Sequence, residues 1–491
     1  MTTSPNAAVT DRAATQVIED FKSPSVAVNP RDPSDVVIAS RFDSPDFMCQ
    51  IHHSLDGGRT WQRSAYPAPP RGTCWAPQVA FDDADGVYVA AQHRPVNGGA
   101  PQDIIVWRSR DGGRSFTAPV TVPGSNVGAF SFSVQAGITV DTTRTKHPNG
   151  PAIYVTWYNF PNFPSSIETF VSVSEDGGAT WSPAAGHEVA GEYQQFGSPA
   201  VGPEGNLYVA YKDPNNFGPT AAGAAQANCP VNTPAISRTG TCPIRVLRST
   251  DGGRSFDSAG PNGAAGFPVA VAAFDDLTLA EGPGIVTTPG GEVLVTYASL
   301  SDATPRPGCQ RDLDVFVARS TDKAVTWGAP VRINDDACDS GARQRDPWIS
   351  VAPNGRVDAV FYDDRNDVDH ALGDAYYTSS SDGGRSFGPN RRVSDRSFDA
   401  RVMFTPRASG FQSKEFDTVN GIASAPNAAV VSWGDSRGTF ANTQQGDPAS
   451  AASDVVAARV DLANEATRPV RRITGADPAA AAVALSSQTY N

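Results

Sequence analysis

An eight-residue phrase recurs six times along the chain: SLDGGRTW from Ser54, SRDGGRSF from Ser109, SEDGGATW from Ser174, STDGGRSF from Ser249, STDKAVTW from Ser320 and SSDGGRSF from Ser380. Its aspartates are Asp56, Asp111, Asp176, Asp251, Asp322 and Asp382, so by difference successive copies lie 55 to 75 residues apart. That period suits one four-stranded propeller blade with loops of varying length. Each residue type has a task in a tight hairpin. The Asp carboxylate accepts hydrogen bonds from the N–H groups of its own turn, the Gly pair supplies positive φ, and the closing Trp or Phe anchors the turn between sheets. The fifth copy replaces the Gly pair with Lys323-Ala324, which predicts a strained or differently shaped turn.

A second phrase recurs seven times, opening at Pro24, Pro77, Ala136, Pro199, Pro283, Pro347 and Val419. Each copy reads strand, Gly/Pro/Asn/Asp turn, strand, with the period-two alternation of a hairpin. Seven hairpins predict an all-β fold of seven four-stranded antiparallel blades in a single β-propeller, with six blades, one per octapeptide, as the alternative. The expected domain spans 17–475, preceded by an N-terminal segment, 1–16, and followed by a tail or linker, 476–491. The last blade has no octapeptide, and Asp454 to Leu462 with Pro469 to Thr474 are expected to supply its outer strands. A closed ring brings the two ends of the domain together, and Thr15 to Asp20 is placed as a further outer strand there.

Composition agrees: 45 Gly and 40 Pro accompany 23 Phe, 12 Tyr and 8 Trp, which favours strands and turns over long helices. A net charge of −13 and the lack of a basic stripe argue against a nucleic-acid partner. No apolar run approaches the roughly 20 residues that span a bilayer. The opening Met1-Thr-Thr-Ser-Pro-Asn6 has neither the basic nor the apolar region of an export signal. The six cysteines fall as local couples, Cys49 with Cys74, Cys229 with Cys242 and Cys309 with Cys338, none with zinc-site spacing. Three disulfides, oxidising surroundings and a secreted or extracellular monomer are the expectation; six reduced thiols in a cytosolic protein is the alternative.

The octapeptide is the Asp-box, or bacterial neuraminidase repeat, and from about residue 20 to 460 the chain resembles the sialidase-like superfamily of propellers. The resemblance implies that the box joins the third and fourth strands of a blade, on the face opposite an active site, so its aspartates are structural. Two departures point away from sialidase activity proper. Sialidases hold the substrate carboxylate with three arginines, the first in a Phe/Tyr-Arg-Ile-Pro phrase, where this chain has Phe21-Lys22-Ser23-Pro24. They also have six blades.

Chemistry is then sought on the opposite rim, in the loops after each second strand and before each first strand. There the sequence gathers Trp75, Arg345, Asp346, Tyr362, Asp363, Arg365, Glu415, Trp433, Asp435 and Arg437. Carboxylates, arginines and aromatics together suit a carbohydrate or glycoconjugate partner. Asp346 and Glu415 are the candidate general acid and base, and Tyr362 a stacking ring or, as in sialidases, a nucleophile. Arg345, Arg365 and Arg437, with Asp363 and Asp435, are candidates for holding hydroxyls or a carboxylate, and Trp75 and Trp433 for stacking on a sugar. The bland reading of each is a brace between blades. No cofactor is assigned; Asp335-Asp336, Asp339, Asp363-Asp364, Asp367, Asp369 and Asp374 collect oxygen ligands that would suit a structural calcium. Phosphate-binding glycine motifs and the Gly-x-Ser-x-Gly elbow are absent. The readings are a secreted glycoside hydrolase acting through rim carboxylates, a non-catalytic propeller binding glycan or protein, or a structural cell-surface propeller.

Overall fold

The computed structural model describes residues 2–3, 7–8, 21–42, 48–69, 72–95, 103–125, 133–159, 168–190, 195–213, 240–257, 266–274, 282–300, 312–370, 372–399, 421–435, 441–442, 447–451 and 454–462. Among them there is no helix, and none long and apolar enough to cross a membrane. Second strands such as Val36–Phe42 and Val357–Asp363 are near-continuous apolar runs because both of their faces are buried. Val37 and Ala39 pack toward the second blade while Val36 and Ile38 pack toward the last. The same period of two recurs round the ring, and seven apolar layers result, one between each neighbouring pair of blades.

Each blade is an antiparallel sheet, and in the first six the strands follow chain order from the axis outward. The first runs through Phe21–Val28, Val36–Phe42, Met48–Ser54 and Gln62–Arg63, and the sixth through Gln344–Val351, Val357–Asp363, Leu372–Ser380 and Arg391–Arg392. The seventh begins with Gly421–Ala425, Ala428–Asp435 and Asp454–Asp461. Its outermost position is taken by Thr2–Thr3 and Ala7–Ala8, both paired with Asp454–Asp461. The chain's beginning thus completes its last sheet and hides an edge. Residues 15–20 and 469–474, which the sequence placed in that role, lie outside the described residues.

All six octapeptides close the hairpin from third to fourth strand with one bonding scheme. In the third copy Ser174 Oγ donates to Asp176 Oδ1 at 2.8 Å, Gly178 N–H to Ser174 Oγ at 2.8 Å, and Thr180 N–H and Oγ1–H to the two carboxylate oxygens at 2.8 and 2.6 Å. Burial opposes ionisation of Asp176, yet the bonds from Thr180, Ser174 and Ala179 outweigh it and hold the carboxyl at about 2. The fifth turn keeps the same bonds from Ser320, Ala324 and Thr326. It does so with Lys323 at φ 63° and Ala324 at φ 68°, left-handed values the other copies give to glycine.

Candidate functional site

The rim away from those turns is shaped by one irregularity repeated in five blades. The innermost strand gains a residue against its neighbour between Lys22 and Ser25, Trp75 and Gln78, Val134 and Gly137, Gln195 and Ser198, and Arg345 and Trp348. This is a β-bulge, which bends a strand and re-aims its side chains. In three blades a proline sits inside it: Pro24, Pro77 and Pro347. Ala76 and Asp346, each just before such a proline, have φ of 44° and 50°. The backbone strain therefore belongs to the bulge, and a carboxylate is placed on it in the sixth blade.

Asp346 and Arg345 are both buried there, and Arg345 is in register with Tyr362. Tyr362 sits between blades six and seven, where its hydroxyl accepts the N–H of Gly434 at 2.9 Å and faces the same residue's carbonyl at 3.3 Å. Burial first, then the charges of Asp346 and Asp435, push this phenol well above its ordinary range, with Arg345 acting the other way. Asp435 accepts the indole N–H of Trp433 at 3.1 Å, and both are fully enclosed. Asp346, Arg345, Tyr362 and Asp435 are therefore one electrostatic group spanning two blades.

The structure separates other members of the predicted set. Tyr362 and Asp363 lie within Val357–Asp363, and Trp433 and Asp435 within Ala428–Asp435, so they belong to second strands and not to loops. Alternation then turns Tyr362 toward blade seven while Asp363 joins blade five, where Arg365 ties it down. Arg365 Nε donates to Asp363 Oδ2 at 2.8 Å, Nη1 to Asp335 Oδ1 at 2.5 Å and Nη2 to Asn390 Oδ1 at 2.9 Å, and the guanidinium lies 4.6 Å from the centre of the Tyr376 ring. A fork so occupied braces the sheet. Trp433 presents no face to a ligand approaching the rim, and a phenol with a raised pKa and both backbone groups of Gly434 against it is poorly placed as a nucleophile.

Glu415, Arg437, Cys229 and Cys309 lie outside the described residues, as do the side chains of Trp75 and Cys242. Cys49 and Cys74 are joined as expected, linking the third strand of blade one to the innermost strand of blade two; Cys338 is also disulfide-bonded. Two of the aspartates considered for calcium are ion-paired within the protein: Asp336 meets Arg332 at 2.9 Å and Asp374 meets Arg392 at 2.8 Å. No group of three or more His, Cys, Asp or Glu suited to a metal occurs among the described residues.

Sequence reasoning missed two histidine–aspartate pairs toward this rim. His93 Nδ1 lies 2.7 Å from Asp103 Oδ1 in blade two. His370 Nδ1 lies 3.1 Å from Asp364 Oδ1, in the loop that follows Tyr362 and Asp363. Asp364 is buried and also accepts the N–H of Arg343 at 2.7 Å. Burial raises its pKa, against the Arg343 bond, Arg345 and His370. A histidine within an acidic loop was the available signal. The axis itself holds a cavity of about 170 Å³ lined by the innermost strands, with Ser25, Gln78, Gly137, Ser198, Pro283 and Trp348 on its wall. Trp348 is two residues from Asp346, across the bulge.

No family model and no curated protein matches the chain. Among solved structures, a Dyadobacter fermentans protein of unknown function is similar at 15% identity and TM-score 0.46, over 81% of this chain and 97% of that one. A Hadza microbial sialidase is similar at 10% identity and TM-score 0.46, over 88% and 75%. The GH93 α-L-arabinofuranosidase of Fusarium graminearum, solved with arabinobiose, is similar at 14% identity and TM-score 0.44, over 73% and 92%. Likenesses this distant say nothing of chemistry, and the propeller assignment rests on the strand pairing.

Proposed function

We propose that this propeller is a glycoside hydrolase acting outside the cell on a polysaccharide or glycoconjugate, at the rim formed by blades six and seven. The observation that carries the reading is Asp346: a buried carboxylate on a strained bulge, beside Arg345 and within the field shared by Tyr362 and Asp435. Strain at a functional group is a recurrent way of holding it in place. In this reading Asp346 gives a proton to the leaving oxygen as the glycosidic bond breaks, and Glu415 as general base takes a proton from the water whose oxygen bonds to the anomeric carbon. Arg345 orients Asp346, and Asp435 and Tyr362 fix the wall behind it. The disulfide between Cys49 and Cys74 supports an oxidising location.

A second reading has its own support. Tyr362, Trp433 and Arg365 are all engaged inside the protein, which leaves fewer groups for turnover than the sequence promised and favours a propeller that binds glycan without cleaving it. A panel of aryl glycosides and cell-wall polysaccharides separates the two. Release of reducing ends, abolished in Asp346→Asn and in Glu415→Gln, supports the hydrolase; retention on a glycan without release supports binding.

A further inference from the structure

The five bulges end on one ring of residues. In each, the residue at which register resumes, Ser25, Gln78, Gly137, Ser198 or Trp348, lines the axial cavity of about 170 Å³. The cavity therefore lies directly beneath the level of the bulges, with Asp346 two residues from its wall. The innermost strand of every blade pairs on one side only, so its other edge turns backbone N–H and C=O groups toward the axis. A water needs roughly 10–15 Å³ of such volume, so the space exceeds what one or two waters fill.

The residues of the wall share a character. Ser25 Oγ accepts the N–H of Val79 at 3.1 Å, which uses an oxygen lone pair and leaves the hydroxyl proton to be donated. Gln78 and Ser198 are half-buried, and among the described residues neither side chain has a hydrogen-bond partner in the protein. On an innermost strand, the opening that leaves them half-buried is the channel. Trp348, also half-buried, packs against the apolar layer between blades six and seven and brings an aromatic ring to the wall. An amide, two hydroxyls and an indole match the hydroxyls and the C–H face of a sugar. No described side chain on this wall is charged. A carboxylate placed there would lose its water with no cation on the wall to meet it.

We propose that the axial cavity seats a single uncharged sugar unit, with Ser25, Gln78 and Ser198 on its hydroxyls and Trp348 against its ring, and rejects units that carry a carboxylate. For its part in turnover the inference rests on the reading of the rim as an active site: a unit held on the axis brings its glycosidic bond to the level of the bulge that carries Asp346. Arg345, the cation of that bulge, is followed at once by this carboxylate and is no unshared partner for an acidic sugar. Binding of the unit does not require turnover.

The test is nitrogen-15 NMR of the full chain, following the Trp348 indole N–H assigned by Trp348→Phe. The probes are glucose, galactose, mannose, xylose and arabinose, against glucuronate and N-acetylneuraminate. The expected result is a saturable displacement of that resonance by at least one neutral sugar, with both acids at least about tenfold weaker. Gln78→Leu and Ser198→Val should each weaken the neutral sugar by about tenfold. Gln78→Lys, which puts a cation on the wall, should admit glucuronate, a gain that misfolding does not imitate. The proposal is overturned if no neutral sugar moves the resonance, if the acids bind as well as the neutral sugars, or if the variants leave binding unchanged. Sugar bound without turnover on any glycan leaves this inference standing and removes the hydrolase; turnover with no binding on the axis does the reverse.

Discussion

Arg459, on the third strand of blade seven, donates from Nη1 to the carbonyl of Gly57 in the octapeptide turn of blade one, at 3.0 Å across 402 residues of sequence. Its Nε is held by Asp461 at 2.6 Å. The ring therefore closes through a charged hydrogen bond as well as through the apolar layer of Val26, Ile38, Val430 and Val455. Arg459→Ala is expected to lower stability by about 1–2 kcal/mol. Urea unfolding checks this: the midpoint falls with the slope unchanged. An unchanged midpoint would show that apolar packing alone closes the ring.

The fifth turn offers a gain. Lys323 and Ala324 hold left-handed backbone that costs a residue with a Cβ roughly 1 kcal/mol. Lys323 gives up only an exposed ion pair with Glu204, at 2.6 Å, when replaced. Lys323→Gly with Ala324→Gly is expected to raise the melting temperature, read by calorimetry. A lower value would mean that the two side chains contribute packing beyond the backbone strain.

Acid should loosen the turns. The carboxyls of Asp176 and Asp251 fall from 3.8 to about 2, since bonds from their own turns outweigh burial. A folded value below the unfolded one contributes stability that is full above about pH 4 and lost as pH falls through 2. The urea midpoint should therefore drop between pH 4 and 2, and drop less steeply in Asp176→Asn with Asp251→Asn. Parallel pH profiles for the two proteins would contradict this.

Tyr362→Phe separates framework from chemistry. It removes a hydroxyl bonded to both backbone groups of Gly434, so stability should fall by about 1–2 kcal/mol. Turnover, once a substrate is in hand, should change less than tenfold. A loss of 10³-fold or more with stability intact would restore Tyr362 as a nucleophile.

The blades were legible because their signals are local and repeated: a turn phrase fixed by its own hydrogen bonds, and hairpins fixed by alternation. The site was harder to read because it depends on where a strand ends. Extending Val357–Asp363 and Ala428–Asp435 by a residue or two beyond the expected loops turns Tyr362 and Trp433 inward, and such ends are the least certain feature of any sequence pattern. The bulge did leave a trace. Proline inside a strand belongs at an edge or a bulge, and the hairpin phrase opens on Pro24, Pro77, Pro199, Pro283 and Pro347. Only Pro24, Pro77 and Pro347 lie inside a bulge, so the prolines hint at the irregularity without singling out Asp346. His370 left less, since its pairing with Asp364 depends on a loop conformation that no periodicity encodes.

Asp346 is proposed to do chemistry on a sugar. Its most direct test is the rate of reducing-end release by the purified chain on whichever glycan of the panel it cleaves, compared with Asp346→Asn at matched folding. Loss of a general acid should slow the reaction by about 10² to 10⁴-fold while glycan binding persists. A variant that cleaves as fast as the parent would contradict the assignment.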